Sequence, residues 1–250
     1  MVRLNRRHHR ARAVRDAIRL EVLDGAWGDS ILPSEDDLAK DFAVGRNVVR
    51  EALNALVLEG ILERRQGIGT QPKSRIILHA ADSLRALHED DERARRGRPI
   101  RHRLIDWRIE EAPGGYAAAL GLPVGAPIIV YERLTCSDTP LIFWSTRIRG
   151  DLGLEPPGER GQWVDIGFYE YIERSGARLG EGVVRTSAAP ADQGVAEVLE
   201  IAPGDPVLVQ SRRVALADGR PLEVSTGYYR PNQVALLNRF SRAEPSARAG

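Results

Sequence analysis

Residues 44–53, VGRNVVREAL, set Arg46, Asn47 and Arg50 among small apolar side chains. On a helical wheel of about 100° per residue, Val48, Val49, Ala52, Leu53, Ala55 and Leu56 share one side. Arg46, Asn47, Arg50 and Asn54 gather on the other, and Glu51 lies at its edge. A helix with a solvated polar face is the ordinary reading of such a pattern. The composition of this face points further, because arginine and asparagine pair bidentately with guanine and adenine edges and also hold phosphates.

The flanking sequence gives the helix a setting. Upstream, ARAVRDAIRLEVLD (residues 11–24) places Val14, Ile18 and Val22 on one helical stripe that Gly25 ends. LPSEDDLAKDF then opens a second, short helix, with Ser34 and Asp37 at capping spacing and Leu38 and Phe42 as its apolar stripe. Ala43-Val44-Gly45 is a tight joint into the third helix, which runs to about Leu58 and is closed by Gly60. ILERRQGIGTQP reads as two short strands joined by a glycine turn, with Arg64, Arg65 and Gln66 before a tip of little bulk. Three helices and a hairpin outline a winged helix-turn-helix, whose third helix enters the major groove. A narrow basic hairpin tip can approach the backbone or the minor groove.

Bulk properties are consistent with this. The 250 residues, 42% hydrophobic and 28% charged, suffice for one large domain or two small ones with a real core. One cysteine, Cys136, excludes an internal disulfide framework and fits a reducing compartment. No apolar run is long enough to span a bilayer, and the charged N-terminus lacks the apolar core of a signal peptide, so a soluble intracellular protein is expected. Net charge is only +1, but Arg3, Arg6, Arg7, Arg10, Arg12 and Arg15 form an acid-free N-terminal arm suited to phosphates or to mere solvation. Lysine is confined to Lys40 and Lys73, a bias that a GC-rich genome also produces.

Residues 71 to 105 read as a connector running into a charged helix at about 80–96. Beyond it, strand-like runs (APIIVYERL, PLIFWSTRI, EGVVRTS, PVLVQSRRVAL, PLEVSTGYY) alternate with helical ones (YAAALGL, FYEYIERSG, QGVAEVLEI), the pattern of an α+β domain. A faint repeat runs through it: Leu120, Gly125, Pro127 and Arg133 recur 79 residues later as Leu199, Gly204, Pro206 and Arg212. The second strands of the two copies open at Pro140 and Pro221, which suggests a pseudo-symmetric sheet.

LPSEDDLAKDFAVGRNVVREALNALVLEGILERRQGIGT resembles the DNA-binding domain of the GntR family of bacterial transcription regulators, over roughly residues 10 to 72. The matching positions include Arg46 and Arg50 on the recognition helix and Gly67, Gly69 and Thr70 in the wing. Three positions depart from the family pattern. Asp36 stands where many relatives carry a phosphate-touching arginine, Gly45 replaces a serine, and Asn47 replaces a threonine. Gly still serves as an N-cap at a cost of a few tenths of a kcal/mol, so the departures bear on DNA preference rather than stability.

The remainder, roughly residues 77 to 240, resembles the UTRA sensor domain of the HutC-type branch, a chorismate-lyase-like α+β fold that binds small molecules rather than transforming them. Its Pro-x-Glu-x-Ser-x-x-x-Tyr-Arg segment appears as Pro221, Glu223, Ser225, Tyr229 and Arg230. In relatives that bind phosphorylated sugars, Arg133, Tyr169, Glu223 and Tyr229 match effector positions, whereas Thr135 replaces a second arginine and Gly167 a serine. Losing these groups weakens the case for a sugar phosphate, since phosphate recognition favours several donors and doubled positive charge. Phe143 and Trp144 point to a more apolar pocket, core packing being the ordinary role of such aromatics, and Arg133 could equally form a surface ion pair.

The resemblance implies three segments: a winged helix-turn-helix with its basic arm over 1–75, a linker and first sensor helix over 76–98, and an effector-binding and dimerisation domain over 99–250. It implies a cytoplasmic, nucleoid-associated homodimer, most often a repressor, that reads a palindromic site in double-stranded DNA and answers a small-molecule effector. The expected DNA-facing residues are Ser34, Arg46, Asn47, Arg50, Asn54, Arg64, Arg65, Gln66, Gly67, Gly69 and Thr70. The expected effector residues are Arg133, Trp144, Tyr169, Glu223, Tyr229 and Arg230.

Catalytic residues, metal ligands and cofactors are not expected. Gly-x-Ser-x-Gly, HExxH and the phosphate-binding loop ending in Lys-Ser/Thr do not occur, and Gly67-Ile68-Gly69 lacks the third glycine of a dinucleotide turn. The histidines lack metal-ligand spacing. Glu110 and Glu111 would face opposite sides of a strand. An effector-independent repressor and a lyase-like enzyme domain are the alternatives.

Overall fold

The computed structural model describes residues 6–28, 30–73, 77–80, 100–164, 166–231 and 233–237. The chain divides into two compact units, Met1–Ile76 and Ile77–Gly250.

In the first unit, α1 (Arg6–Asp24), α2 (Glu35–Asp41) and α3 (Arg46–Leu58) precede a hairpin of β1 (Leu62–Arg65) and β2 (Gly69–Pro72). Val14, Ile18 and Val22 of α1, Leu38 of α2, and Val49, Ala52, Leu53 and Leu56 of α3 close one core with Leu32, Ile61 and Leu62. Helix α2 starts at Ser34, whose hydroxyl accepts the Asp37 N–H, with three acids in the first turn against the helix dipole. The chain reverses between α2 and α3 through Ala43, which adopts φ 50°, a left-handed conformation uncommon outside glycine. Gly45 then caps α3 in extended geometry without a side-chain hydrogen bond. The arginine-rich N-terminus is not a separate arm from Arg6 onward: it is the first part of α1. Arg15 there faces Glu59 at the end of α3, at 3.6 Å.

The second unit is a seven-stranded antiparallel sheet among the described residues, ordered β7-β4-β5-β6-β10-β9-β8. Its strands are β4 (Arg101–Glu111), β5 (Pro127–Cys136), β6 (Pro140–Arg149), β7 (Trp163–Val164), β8 (Leu179–Pro190), β9 (Pro206–Leu216) and β10 (Pro221–Tyr229). Strands β3 (Ile77–Ala80) and β11 (Val234–Leu237) form a small parallel pair. The helices are α4 (Gly114–Leu120), α5 (Phe168–Arg174) and α6 (Gln193–Leu199).

The repeat is real in three dimensions. The units β4-α4-β5-β6 and β8-α6-β9-β10 meet where β6 pairs with β10. Their turns are stitched by the same bonds: Ala112 N to Ala126 O and Gly125 N to Ala112 O in one copy, Ala191 N to Asp205 O and Gly204 N to Ala191 O in the other. Even the helix ends correspond, with left-handed C-caps at Gly121 and Glu200.

The connector expected up to residue 105 is corrected by β4, which begins at Arg101. A bulge between Leu104 and Asp106 breaks its alternation, and most of its outward residues are charged, so the period-2 signal is weak. The charged helix expected at about 80–96 lies outside the described residues, apart from Ala80 at the end of β3.

Helices α4 and α6 cover one face of the sheet with Leu120, Ile128, Leu134, Val195, Leu199 and Val207. Helix α5 covers part of the other face through Phe168, Tyr169 and Ile172, against Ile129, Tyr131, Ile148 and Val214. A third cluster, Ile142, Trp144, Tyr229 and Val234, closes the far end of that face. Between the last two clusters lie buried polar side chains.

Candidate nucleic-acid interface and effector pocket

In the first unit the apolar side of α3 is consumed by the core, which leaves Arg46, Asn47, Arg50 and Asn54 together on the exposed side. The wing extends the same polar theme. Arg65 and Gly69 form its last pair, Gln66, Gly67 and Ile68 make the tip, and Ile68 N bonds back to Arg65 O at 3.0 Å. Gly67 sits at φ 75° and Gly69 at φ 137°, and a Cβ on Gly69 would lie 2.7 Å from the Ile31 side chain. The wing is tied down by Leu32 N to Thr70 O at 2.8 Å.

Acids from α2 hold these arginines. Arg46 Nε lies 2.7 Å from Asp36 Oδ1. Arg50 Nε and Nη2 are each 3.0 Å from Glu35 Oε2, and Arg64 Nη2 is 3.6 Å from Glu35 Oε1. The bond to Glu35 raises the Arg50 pKa further, so its charge is permanent. Arg65 and Gln71 both donate to Glu63 Oε1. Ser34 donates to Asp37 Oδ2 at 2.6 Å while accepting the Asp37 N–H, so its single hydroxyl proton serves the cap.

In the second unit, strand register puts Arg133, Trp144, Gly227 and Gln210 in one row across β5, β6, β10 and β9, with Tyr131, Thr146, Ser225 and Arg212 in the next. Tyr169 Oη donates to Glu223 Oε1 at 2.7 Å, and Ser225 Oγ does so at 3.3 Å. Arg212 Nη2 donates to Gln210 Oε1 at 2.9 Å, and Tyr229 Oη donates to the same oxygen. The Arg212 guanidinium lies over Trp144 at 4.3 Å and that of Arg133 over Phe168 at 5.4 Å. Gly227 makes room for Trp144, since a Cβ there would come within 2.7 Å of the indole. Five of the six expected effector residues thus share one site.

Burial sets its electrostatics. Glu223 is only 1% exposed, and desolvation pushes its pKa up, partly offset by the Tyr169 hydrogen bond and by Arg212 and Arg133. Burial raises Tyr229 to about 12, so it is a neutral donor. Two guanidinium groups therefore surround one reluctant carboxylate. Arg133 makes no ion pair among the described residues, and its Nε is buried without a hydrogen-bond partner.

Arg230 corrects the expected set. It follows β10 on the opposite side of the sheet, where Nη2 reaches Glu200 O at 3.3 Å and Nη1 reaches Pro140 O at 3.5 Å. Its role there is to satisfy the end of α6. Phe143 also points away from this cluster, packing on Tyr228 within the cluster under α6. Thr135, where the family's second arginine is absent, is buried and lies 3.1 Å from His102 Nδ1. The structure adds Arg212 to this cluster, a residue absent from the expected set. The second arginine arrives from the other copy of the repeat rather than from the same strand, and the Arg133/Arg212 correspondence was its signal.

Among the described residues no group of His, Cys, Asp and Glu could hold a metal, and no helix is long and apolar enough to cross a membrane.

Comparison with known proteins agrees with both halves. Residues 10–71 match the gntR family of bacterial regulatory proteins and residues 95–235 match the UTRA domain. The HTH-type transcriptional repressor NagR of Bacillus subtilis is 31% identical over 219 residues, covering 86% of this chain and 87% of NagR. The histidine utilization repressor of Pseudomonas aeruginosa is 28% identical over 207 residues, covering 80% and 79%. The crystal structure of PhnF from Mycobacterium smegmatis superposes with a TM-score of 0.64 at 23% identity, over 92% of this chain and all of that one, and so shares the fold. A winged helix with an Arg/Asn recognition face, a pseudo-symmetric sensor sheet and these two family matches make the chain a member of the GntR family of transcription regulators, with a C-terminal UTRA ligand-binding domain.

Proposed function

We propose that this regulator is a homodimeric repressor that leaves its operator when a small anionic molecule enters the sensor pocket. The observation that carries the reading is the pair of repeat-related arginines around Glu223. A buried site with two guanidinium groups and one carboxylate favours a ligand that brings negative charge. Glu223 and the Tyr229 hydroxyl would orient its polar groups, and Trp144 offers a flat apolar wall. Two recognition helices related by a dimer axis would read half-sites of a palindrome about one helical turn apart, with Arg46, Asn47, Arg50 and the wing on the DNA. Effector binding would change the relation of the two winged helices, a coupling between distinct sites. Such a protein acts by binding rather than turnover, in the cytoplasm and on the nucleoid.

The test is a gel shift of the full-length protein on its gene's upstream DNA, challenged with small carboxylates, organic phosphates and neutral analogues. Acids should release the DNA and neutral analogues should not. Arg133→Ala should abolish release while DNA binding persists. Release by neutral compounds alone would overturn the anionic reading, and DNA binding that no compound relieves would favour an effector-independent repressor. Conversion of an added acid without DNA would establish the lyase-like alternative.

A further inference from the structure

The first turn of α2 presents two acids to the face that DNA must approach, and they differ in reach. Glu35, 26% exposed, joins Arg50 of α3 to Arg64 of the wing and so ties two elements together. Asp36, 51% exposed, pairs with Arg46, which is itself 59% exposed and stands at the first position of α3. An exposed pair of this kind contributes little to folding. What it changes is the position of one guanidinium and the charge of the surface around it.

Arginine reads guanine with a planar fork of donors, and the fork discriminates best when its plane is held before contact. With Nε 2.7 Å from the Asp36 carboxylate, the Arg46 guanidinium keeps both Nη groups to offer and is biased toward the side where Asp36 stands. The carboxylate also subtracts a charge from the surface that meets phosphates, which lowers sequence-independent affinity. We propose that Asp36 is a positioning residue that sets DNA specificity: it aims Arg46 at one base pair and weakens binding to every other sequence. The proposal rests on the reading that α3 faces the DNA.

The full-length protein would be used to select sites from a random duplex pool long enough for two half-sites. Affinities for the selected duplex and a shuffled one would then be followed against salt for wild type, Asp36→Asn, Asp36→Arg and Arg46→Ala. Asp36→Asn should bind the shuffled duplex more tightly and lower the specificity ratio about tenfold, with the loss confined to the base pair that Arg46→Ala also relaxes. Combined with Arg46→Ala, Asp36→Asn should add no further loss of base discrimination. Asp36→Arg should steepen the salt dependence by roughly one further phosphate contact, a slope change of about 0.9. An unchanged specificity ratio for Asp36→Asn overturns the proposal. So does relaxation at a different base pair from Arg46→Ala, which would mean that Asp36 contacts a base itself. If Arg46→Ala leaves the selected site and its affinity unchanged, the DNA-facing reading of α3 fails first and the role of Asp36 falls with it.

Discussion

The arginines of the two units are used in opposite ways. On the winged helix, Arg46, Arg50 and Arg64 are exposed and each is matched by a carboxylate of α2. In the buried cluster of the second unit, Arg133 and Arg212 lie against aromatic rings, near a carboxylate that burial pushes toward its neutral form. In water an ion pair can exchange its acid for a phosphate at small cost, because the dielectric screens both states. Inside the sheet the same charge is costly to hold and rewards a ligand that neutralises it. The exposed set suits reversible contact with a polyanion, and the buried set suits selection of one small anion.

The sharpest way to break this contrast is to remove one arginine from each environment. Arg212→Ala deletes a guanidinium that is 5% exposed, with its Trp144 and Gln210 contacts, and should destabilise the fold by about 3 kcal/mol. For a chain of this size that lowers the melting temperature by roughly 6–12 °C in a thermal melt. Arg50→Ala should instead leave the melting temperature nearly unchanged and weaken binding to the selected duplex roughly ten- to a hundredfold. An equal loss of stability in both variants would erase the distinction between the two environments.

Much of this division is legible in the sequence, for identifiable reasons. The polar face of α3 and the glycine wing follow from local periodicity and turn chemistry, which depend little on tertiary context. The repeat is legible because turns that must satisfy the same backbone bonds reuse Gly-x-Pro at Gly125 and Gly204. Strand β4 is obscured by its bulge at Ile105 and by its charged outward residues. The pairing of Asp36 with Arg46 depends on how α2 crosses α3, which composition does not report. Arg230 sits in a family motif, yet its carbonyl partners, Pro140 and Glu200, come from distant segments. Arg212 becomes visible only when the repeat is used to look for a second arginine.

Glu223→Gln sharpens the comparison from the side of the acid. Burial raises the folded-state pKa of Glu223 above its ordinary value near 4.5. The stability that belongs to its neutral form is therefore fully present below 4.5 and is lost as pH rises through the folded-state value. The amide is neutral at every pH and still accepts from Tyr169. The variant should match wild type in melting temperature at low pH and gain on it by a few degrees at neutral pH. Its effector response should weaken at the same time. A gap that shrinks as pH rises would mean that the arginines, rather than burial, dominate the site.

The smallest expected effect lies where the recognition helix begins. Gly45 caps α3 at φ −72° with no side-chain bond, and a Cβ there meets nothing within 4 Å, so Gly45→Ser fits without strain. The added hydroxyl can accept an orphan N–H of the first turn, for a few tenths of a kcal/mol and about 1 °C in a thermal melt. It can also donate to a phosphate, and a neutral donor displaces no counterion. Affinity should therefore rise equally for the selected and shuffled duplexes, with the salt slope unchanged, whereas Asp36→Arg should change that slope. Titration of both variants against salt separates the two kinds of phosphate contact. A salt slope altered by Gly45→Ser would show that the hydroxyl had instead redirected Arg46, its neighbour in the chain, toward the backbone.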